Sequence, residues 1–375
     1  MKRSYLPHLK KYLAKKILLI SGPRQCGKTT LSKMLSPSFE YLSFDEENDR
    51  GVYRDKSWDR KKSLIIFDEL HKKKNWKQWL KGIFDTEGIP PSLVVTGSAR
   101  LDSFKKVGDS LAGRYFQYRL HPLDIRELHS LDKNLKIDPA IERLLAFGGF
   151  PEPYLEGTSE FYNLWKKTHL DIILRQDLLT QEDVKDIRSI ELLIELLKTR
   201  VGSPLSYSSL AEDLQCSDKT VKKWLGILEN MYVVFKLSPF HKNIARANTK
   251  QPKYYFYDNA RVQGADGARL ENLVATSLHK ECQFRQDCLG ENWELFYLSK
   301  KGGIEIDFLI CRDGKPTFAV EVKSSDETPS RSFRVFENDL PATTQRLQLV
   351  KNLKREKTYP SGVEVRKLGD WLATW

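Results

Sequence analysis

The chain has 375 residues, 30% of them charged and 40% hydrophobic, with a net charge of +12 and a pI near 9.2. This length is more than one core usually serves and suits two or three domains, and the basic balance makes a polyanion partner plausible. Near the N-terminus the longest uncharged apolar run is Ile17 to Ile20, so neither a signal peptide nor a membrane span is expected; five cysteines without a C-x-x-C pair or metal-ligand spacing point to a reduced, cytoplasmic protein.

The first motif is KILLISGPRQCGKTT, Lys16 to Thr30. A short apolar strand leads into a glycine-bounded turn and then a helix, and Gly22, Gly27, Lys28 and Thr29 satisfy G-x-x-x-x-G-K-[ST]. Such a loop (Gly22, Pro23, Arg24, Gln25, Cys26, Gly27, Lys28, Thr29 and Thr30) wraps a phosphate chain in backbone N–H groups. Lys28 then reaches the β/γ-phosphates of ATP, and the Thr29 hydroxyl ligates Mg²⁺. The helix, from about Thr29 to Leu35, turns its positive end to the same phosphates.

FEYLSFD reads as a second strand, and SLIIFDEL as a third. Leu64 to Phe67 are apolar in succession, as in a parallel strand buried on both faces, and Asp68 and Glu69 close it where open α/β sheets place ligands. Asp68 is the expected Mg²⁺-shell ligand and Glu69 the residue that orients or deprotonates the attacking water. HKKKNWKQWLKGIFDTEG follows as an amphipathic helix with its tryptophans in the core. PSLVVTGSAR gives a fourth strand ending in Thr96 and Ser98, hydroxyls suited to sensing the γ-phosphate or positioning the water. Arg114 leads into an edge strand. It either stabilises the γ-phosphate charge, in cis or from a neighbouring subunit, or forms a surface salt bridge; Arg100 is a weaker candidate for the same role.

From Pro139 to about Arg200 the pattern is helical and is interrupted by GGFPEP. Here Arg175 is read as a structural ion pair in preference to a phosphate contact. SYSSLAEDLQCSDKTVKKWLGILENMYVVFKL then reads as a winged helix, with Ser206 and Asp218 as caps and Val233–Leu237 and Lys253–Tyr257 as wing strands. Lys219, Lys222 and Lys223 face outward near the start of its second helix, the end that enters a major groove. DNA binding and protein contact both remain open uses.

In the last third, Glu271 lies early in a helix, and GGIEIDFLICRDGKPTFAVEVKSS forms a hairpin. Alternation puts Asp307 on one face with Glu321 and Lys323. A two-residue Asp313-Gly314 turn would set Asp307 opposite Val320, so a turn of three or five residues is expected, which Pro316 also favours. Glu271, Asp307, Glu321 and Lys323 match the PD-(D/E)xK nucleases in residue type and order. The three carboxylates would hold one or two Mg²⁺ ions and Lys323 would orient water or meet the phosphorane charge. A charged outer hairpin face explains Glu305 as easily as Asp307. A last helix is expected near Gln345 to Leu353.

GPRQCGKTT, IIFDELHKKKNWKQWLKGIFD, VVTGSARLD, LAGRY, HPLDIREL and GGFPEP together resemble the prokaryotic AAA-type ATPases that carry a winged-helix and nuclease-like C-terminal region. The resemblance reaches to about Ser325, with Cys26 standing where such loops more often have an aliphatic residue. It implies an ATPase coupled to a DNA-handling C-terminal half. The expected fold is α/β and multidomain: a parallel-sheet P-loop NTPase of AAA type over 1–130, a helical segment over 131–203, a winged helix over 204–257 and a restriction-endonuclease-like α/β domain over 258–375. Expected partners are ATP and DNA, with no membrane and a homo-oligomer left open.

Overall fold

The computed structural model describes residues 3–98, 111–178, 187–240, 251–300 and 302–375, with the backbone alone at 176–178. The chain forms two compact units. One comprises Met1–His121 with the short returns Asn230–Tyr232 and Asp287–Leu289, and the other comprises Pro122–Glu229, Val233–Gln286 and Gly290–Trp375. The break between the units falls at His121–Pro122, inside HPLDIREL, so most of this motif is counted with the second unit.

The first unit opens with α1 (Leu6–Tyr12) and β1 (Ile17–Ser21), followed by α2 (Lys28–Lys33), β2 (Phe39–Ser43), α3 (Glu47–Asp55), β3 (Leu64–Asp68), α4 (Trp76–Glu87), β4 (Ser92–Gly97) and β5 (Tyr115–Arg119). The five strands make a sheet in the order β2-β3-β4-β1-β5 with every neighbouring pair parallel. The strand bearing Asp68 is therefore separated from the loop strand by β4. All residues of β1, β3 and β4 are buried, as their apolar runs require of a sheet covered on both faces. One face packs Ile65, Phe67, Val95 and Leu19 against Tyr53, Trp58, Trp76 and Leu80. Trp79 meets Tyr53, Trp58 and Phe67 edge-on or tilted, so the tryptophans are core. The helix after Glu69 starts later than the pattern implied, because Asn75 turns left-handed at φ +57 and breaks it from the preceding 3-10 turn.

The second unit begins with helices α5 (Ile125–Leu131), α6 (Ile137–Phe147), α7 (Pro151–Glu156), α8 (Ser159–Ile172) and α9 (Ile187–Lys198). Two short helices, α10 (Tyr207–Asp213) and α11 (Asp218–Asn230), precede an antiparallel pair, β6 (Val234–Leu237) and β7 (Lys253–Phe256). Ser206 caps α10 through the Ser209 N–H. The hydroxyl of Ser217, not Asp218, takes the equivalent N–H of Thr220 for α11, one residue earlier than expected. Next come α12 (Asp266–Phe284), β8 (Trp293–Ser299), β9 (Glu305–Arg312), β10 (Lys315–Lys323), α13 (Arg331–Val335), β11 (Gln345–Val350), β12 (Lys357–Thr358), β13 (Val363–Lys367) and α14 (Leu368–Thr374). Their six strands form one mixed sheet, β12-β13-β11-β10-β9-β8.

Two expectations fail in this sheet. The stretch from Gln345 is strand β11 and not a helix: Leu347 and Leu349 alternate with Arg346 and Gln348, a period of two, and β11 pairs parallel with β10. The β9–β10 turn is also the two-residue one, with Asp313 at φ +52 and Gly314 at φ +73, and Arg312 faces Lys315. Two consecutive left-handed residues match the twist of a tight hairpin. A bulge between Pro316 and Phe318 then adds the missing residue, so the pairing continues as Phe318–Ile310 and Val320–Phe308. Asp307 next faces Glu321, as the alternation required but by a different device, and Pro316, with no N–H to give, sits at the bulge.

Candidate functional site

Ser21 delivers Gly22 at φ +153, where a Cβ would run into the Leu120 carbonyl. Gln25 (φ +61) and Gly27 (φ +96) curl the loop before α2, the kind of backbone that gathers N–H groups into an anion-binding concavity. Lys28 is buried across this loop, and its Nζ donates to the carbonyls of Gly22 (2.9 Å) and Pro23 (2.7 Å). Cys26 turns inward, its Sγ 3.5 Å from Leu120 O, so its departure from an aliphatic residue is absorbed beneath the loop. Arg24 is half-buried, and Gln25 and Thr30 are exposed.

At the end of β3, Asp68 accepts three hydroxyls: Thr29 Oγ1 at 3.3 Å, and Tyr41 and Thr96 at short range. Two oxygens sharing one Mg²⁺ lie about 3 Å apart when each is about 2.1 Å from the ion. The Thr29–Asp68 pair therefore fits that ion. Glu69 takes the left-handed conformation at φ +54, uncommon for a residue with a side chain. Its Oε2 accepts Ser98 Oγ at 3.0 Å and lies 3.6 Å from His71 Nε2 and 3.9 Å from Lys72 Nζ. Burial pushes the Glu69 carboxyl up, against the opposing pull of Lys28, Lys72 and Arg24. A buried carboxylate held by a neighbouring hydroxyl, beside a phosphate loop, can accept a proton from water.

Arg114 does not join this site from its own chain. Its backbone carbonyl receives the N–H of Ile17, at the start of β1, and so it lies at the opposite end of the sheet from the loop. Five strand residues at about 3.3 Å each put roughly 16 Å between those ends. Its guanidinium pairs with Asp85 through Nε–Oδ1 at 2.6 Å and Nη2–Oδ2 at 3.1 Å, the surface salt bridge of the two readings. Arg175 is exposed beside Asp171 (3.9 Å), and Arg100 lies outside the described residues.

The second unit gathers the other carboxylates. Asp307 Oδ2 accepts the Val322 N–H at 2.8 Å, which fixes it against β10. Glu321 meets Lys323 Nζ at 3.2 Å and Ser330 Oγ at 3.3 Å. Glu271 Oε1 accepts Tyr255 Oη at 2.7 Å and lies 3.7 Å from Lys253 Nζ, while Glu305 Oε1 is 2.9 Å from the same nitrogen. Burial and then repulsion from Asp307 push Glu271 up to about 8 and Glu321 up to about 7. Asp307 is raised by burial against the pull of Lys253. Among the described residues, no three His, Cys, Asp or Glu converge as a set able to hold a metal ion. Mg²⁺, however, is commonly held by one or two carboxylates plus substrate phosphate. Asp307 and Glu321, facing each other across the bulged hairpin, fit that role; Glu271 is turned to Lys253 and Tyr255.

Lys219, Lys222 and Lys223 are exposed on α11, with Lys222 Nζ 5.0 Å from the Tyr207 ring centre. Several residues that build these sites escaped the motif reading. Tyr41 orients Asp68. Lys253 is the one charged residue in the run KYYFY, and that isolation was its signal. Gln348, fully buried, accepts the Ser330 N–H and donates to Asp326 O and Thr328 O, so it shapes the loop that brings Ser330 to Glu321. Its signal was an amide between Leu347 and Leu349, at the polar position of the alternation.

A parallel sheet with the phosphate loop after β1 and an acidic pair ending the strand beyond β4 defines a P-loop ATPase domain. Comparison with family models agrees: residues 14–129 match an AAA domain, and residues 138–269 and 266–368 match two domains of unknown function (DUF8612 and DUF4143). The chain is 26% identical over 338 residues to an uncharacterized protein of Mycobacterium tuberculosis, covering 85% of this chain and 73% of that one. It is 25% identical to an uncharacterized protein of Haemophilus influenzae, covering 95% and 94%. Among solved structures, a Signal Transduction ATPase with Numerous Domains (STAND) protein with a tetratricopeptide repeat sensor from Pyrococcus horikoshii is 14% identical at a TM-score of 0.21, covering 73% of this chain and 44% of that one. C. elegans PCH-2 is 13% identical at a TM-score of 0.25, covering 59% and 67%. No helix among the described residues is long and apolar enough to cross a membrane.

Proposed function

We propose that this is a cytoplasmic ATP-hydrolysing protein that binds DNA through a winged helix and cuts it at a Mg²⁺-dependent, PD-(D/E)xK-type centre in its C-terminal half, in DNA processing or defence. In the ATPase, Lys28 and the loop N–H groups hold the phosphates, and Thr29 and Asp68 hold the ion. Glu69, kept in place by Ser98, takes the proton of the attacking water. Arg114 serves hydrolysis only in trans, in a homo-oligomer where it leaves Asp85 for a neighbour's phosphate.

The observation that carries the nuclease reading is the bulge that brings Asp307 to face Glu321 with Lys323 two residues on. When bound there, Mg²⁺ supplies Lewis-acid polarisation of the scissile phosphate and a more acidic water. Asp307 and Glu321 hold it, and Lys323 orients the nucleophile. Lys219, Lys222 and Lys223 supply backbone contacts to DNA.

Purified protein incubated with Mg²⁺ or Mn²⁺, with and without ATP, on linear, circular and single-stranded DNA and on RNA tests this directly. Asp307→Ala is expected to abolish cleavage and leave ATP turnover intact; if the wild type leaves every substrate whole, the nuclease reading fails. A second reading then stands, in which ATP switches binding to DNA or a protein partner and the nuclease fold is a scaffold. The direct pairing of Lys253 with Glu271 and Glu305 favours it, since those carboxylates already have a cation.

A further inference from the structure

We propose that Lys253 is a fixed cation of the nuclease-type centre, so that the centre binds a single divalent ion at Asp307 and Glu321 and not two. This rests on the nuclease-type reading above. Lys253 opens β7, and its side chain has no exposed surface. Its Nζ stands 2.9 Å from Glu305 Oε1 and 3.7 Å from Glu271 Oε1. Tyr255, two residues further and so on the same face of the strand, donates to that same Glu271 oxygen at 2.7 Å. Gly202 closes over the Glu271 carboxylate, where a Cβ would come within 2.7 Å of Oε2. Glu271 is thus enclosed by two donors and a backbone turn, and Glu305 by the ammonium.

A second divalent ion would need the oxygens that Lys253 holds and would have to approach its charge. Lys253 therefore acts through Glu271 and Glu305 as a positioning residue, and β7, a strand of the expected wing, builds part of the centre.

Counting bound Mn²⁺ by electron paramagnetic resonance on the nucleotide-free full chain tests this. Wild type is expected to bind one ion more than Asp307→Asn, and Lys253→Met one ion more than wild type, as Glu271 and Glu305 become free ligands. Lys253→Arg, which keeps the charge, is expected to match wild type. A wild-type excess of two ions overturns the single-ion proposal and leaves the nuclease-type reading standing. No excess overturns both. An unchanged count in a Lys253→Met protein with native circular dichroism overturns the role of Lys253, and if that variant does not fold, the wild-type count decides alone.

Discussion

Glu69 sits in a left-handed backbone conformation at the end of a fully buried strand, its carboxylate shared among Ser98, His71 and Lys72. A general base so placed typically contributes about 10²- to 10⁴-fold. Glu69→Gln is expected to slow ATP turnover by about that factor while nucleotide binding persists, as read by phosphate release and by titration with a fluorescent nucleotide. Because burial raises this carboxyl, the acid limb of the turnover–pH profile should lie above the ordinary carboxylate range. Glu271 gives a second pH signature. Its folded value lies above its ordinary 4.5, at about 8, so the native state holds this proton more tightly than the unfolded chain does. The resulting stability is complete below the ordinary value and is lost as pH rises toward the folded one. Thermal melts of metal-free protein should therefore fall in midpoint across that window, and Glu271→Gln should flatten the trend.

At the scale of elements, HPLDIREL is explained by helix α12, which carries Glu271. Lys280 on α12 is buried and donates to Asp124 Oδ1 (3.0 Å), Glu127 Oε2 (2.7 Å) and Pro122 O (3.0 Å), while Arg126 pairs with Glu281. Removing one partner of a buried ion pair costs about 3–5 kcal/mol. Lys280→Met should lower stability by that order in urea denaturation, more than Lys280→Met combined with Glu127→Gln. The first unit was the more legible in sequence. Its three inner strands, β1, β3 and β4, are short apolar runs that a parallel sheet buries entirely, and its site residues stand at strand ends. In the second unit, alternation placed Asp307, Glu321 and Lys323 on one face, but the turn was misread because a bulge leaves no mark in a hydrophobic pattern. Lys253 and Gln348 were missed for a related reason. Their partners are distant in sequence, and only the pairing of β7 with β6 and of β11 with β10 brings them into position.

For the whole molecule, Lys28→Ala should end ATP turnover, and comparing its DNA cleavage with wild type, with and without ATP, reads whether hydrolysis gates the C-terminal half. The DNA binding proposed above should weaken steeply with salt, by an amount set by the number of phosphates contacted. Replacing Lys219, Lys222 and Lys223 with alanine should reduce the slope of log affinity against log salt by about 0.9 for each lysine that meets a phosphate. The hairpin bulge has a consequence for how this gene can vary. Thr317 is the residue skipped between Pro316 and Phe318, so an in-frame loss of its codon would yield a regular two-residue hairpin with Asp307 still opposite Glu321. Loss of one codon anywhere from 318 to 320 could be absorbed by straightening the bulge. A gained codon has no such slack and would carry Glu321 away from Asp307 unless the bulge widened. Natural variants of this chain should therefore tolerate a one-residue deletion in this hairpin far more readily than a one-residue insertion.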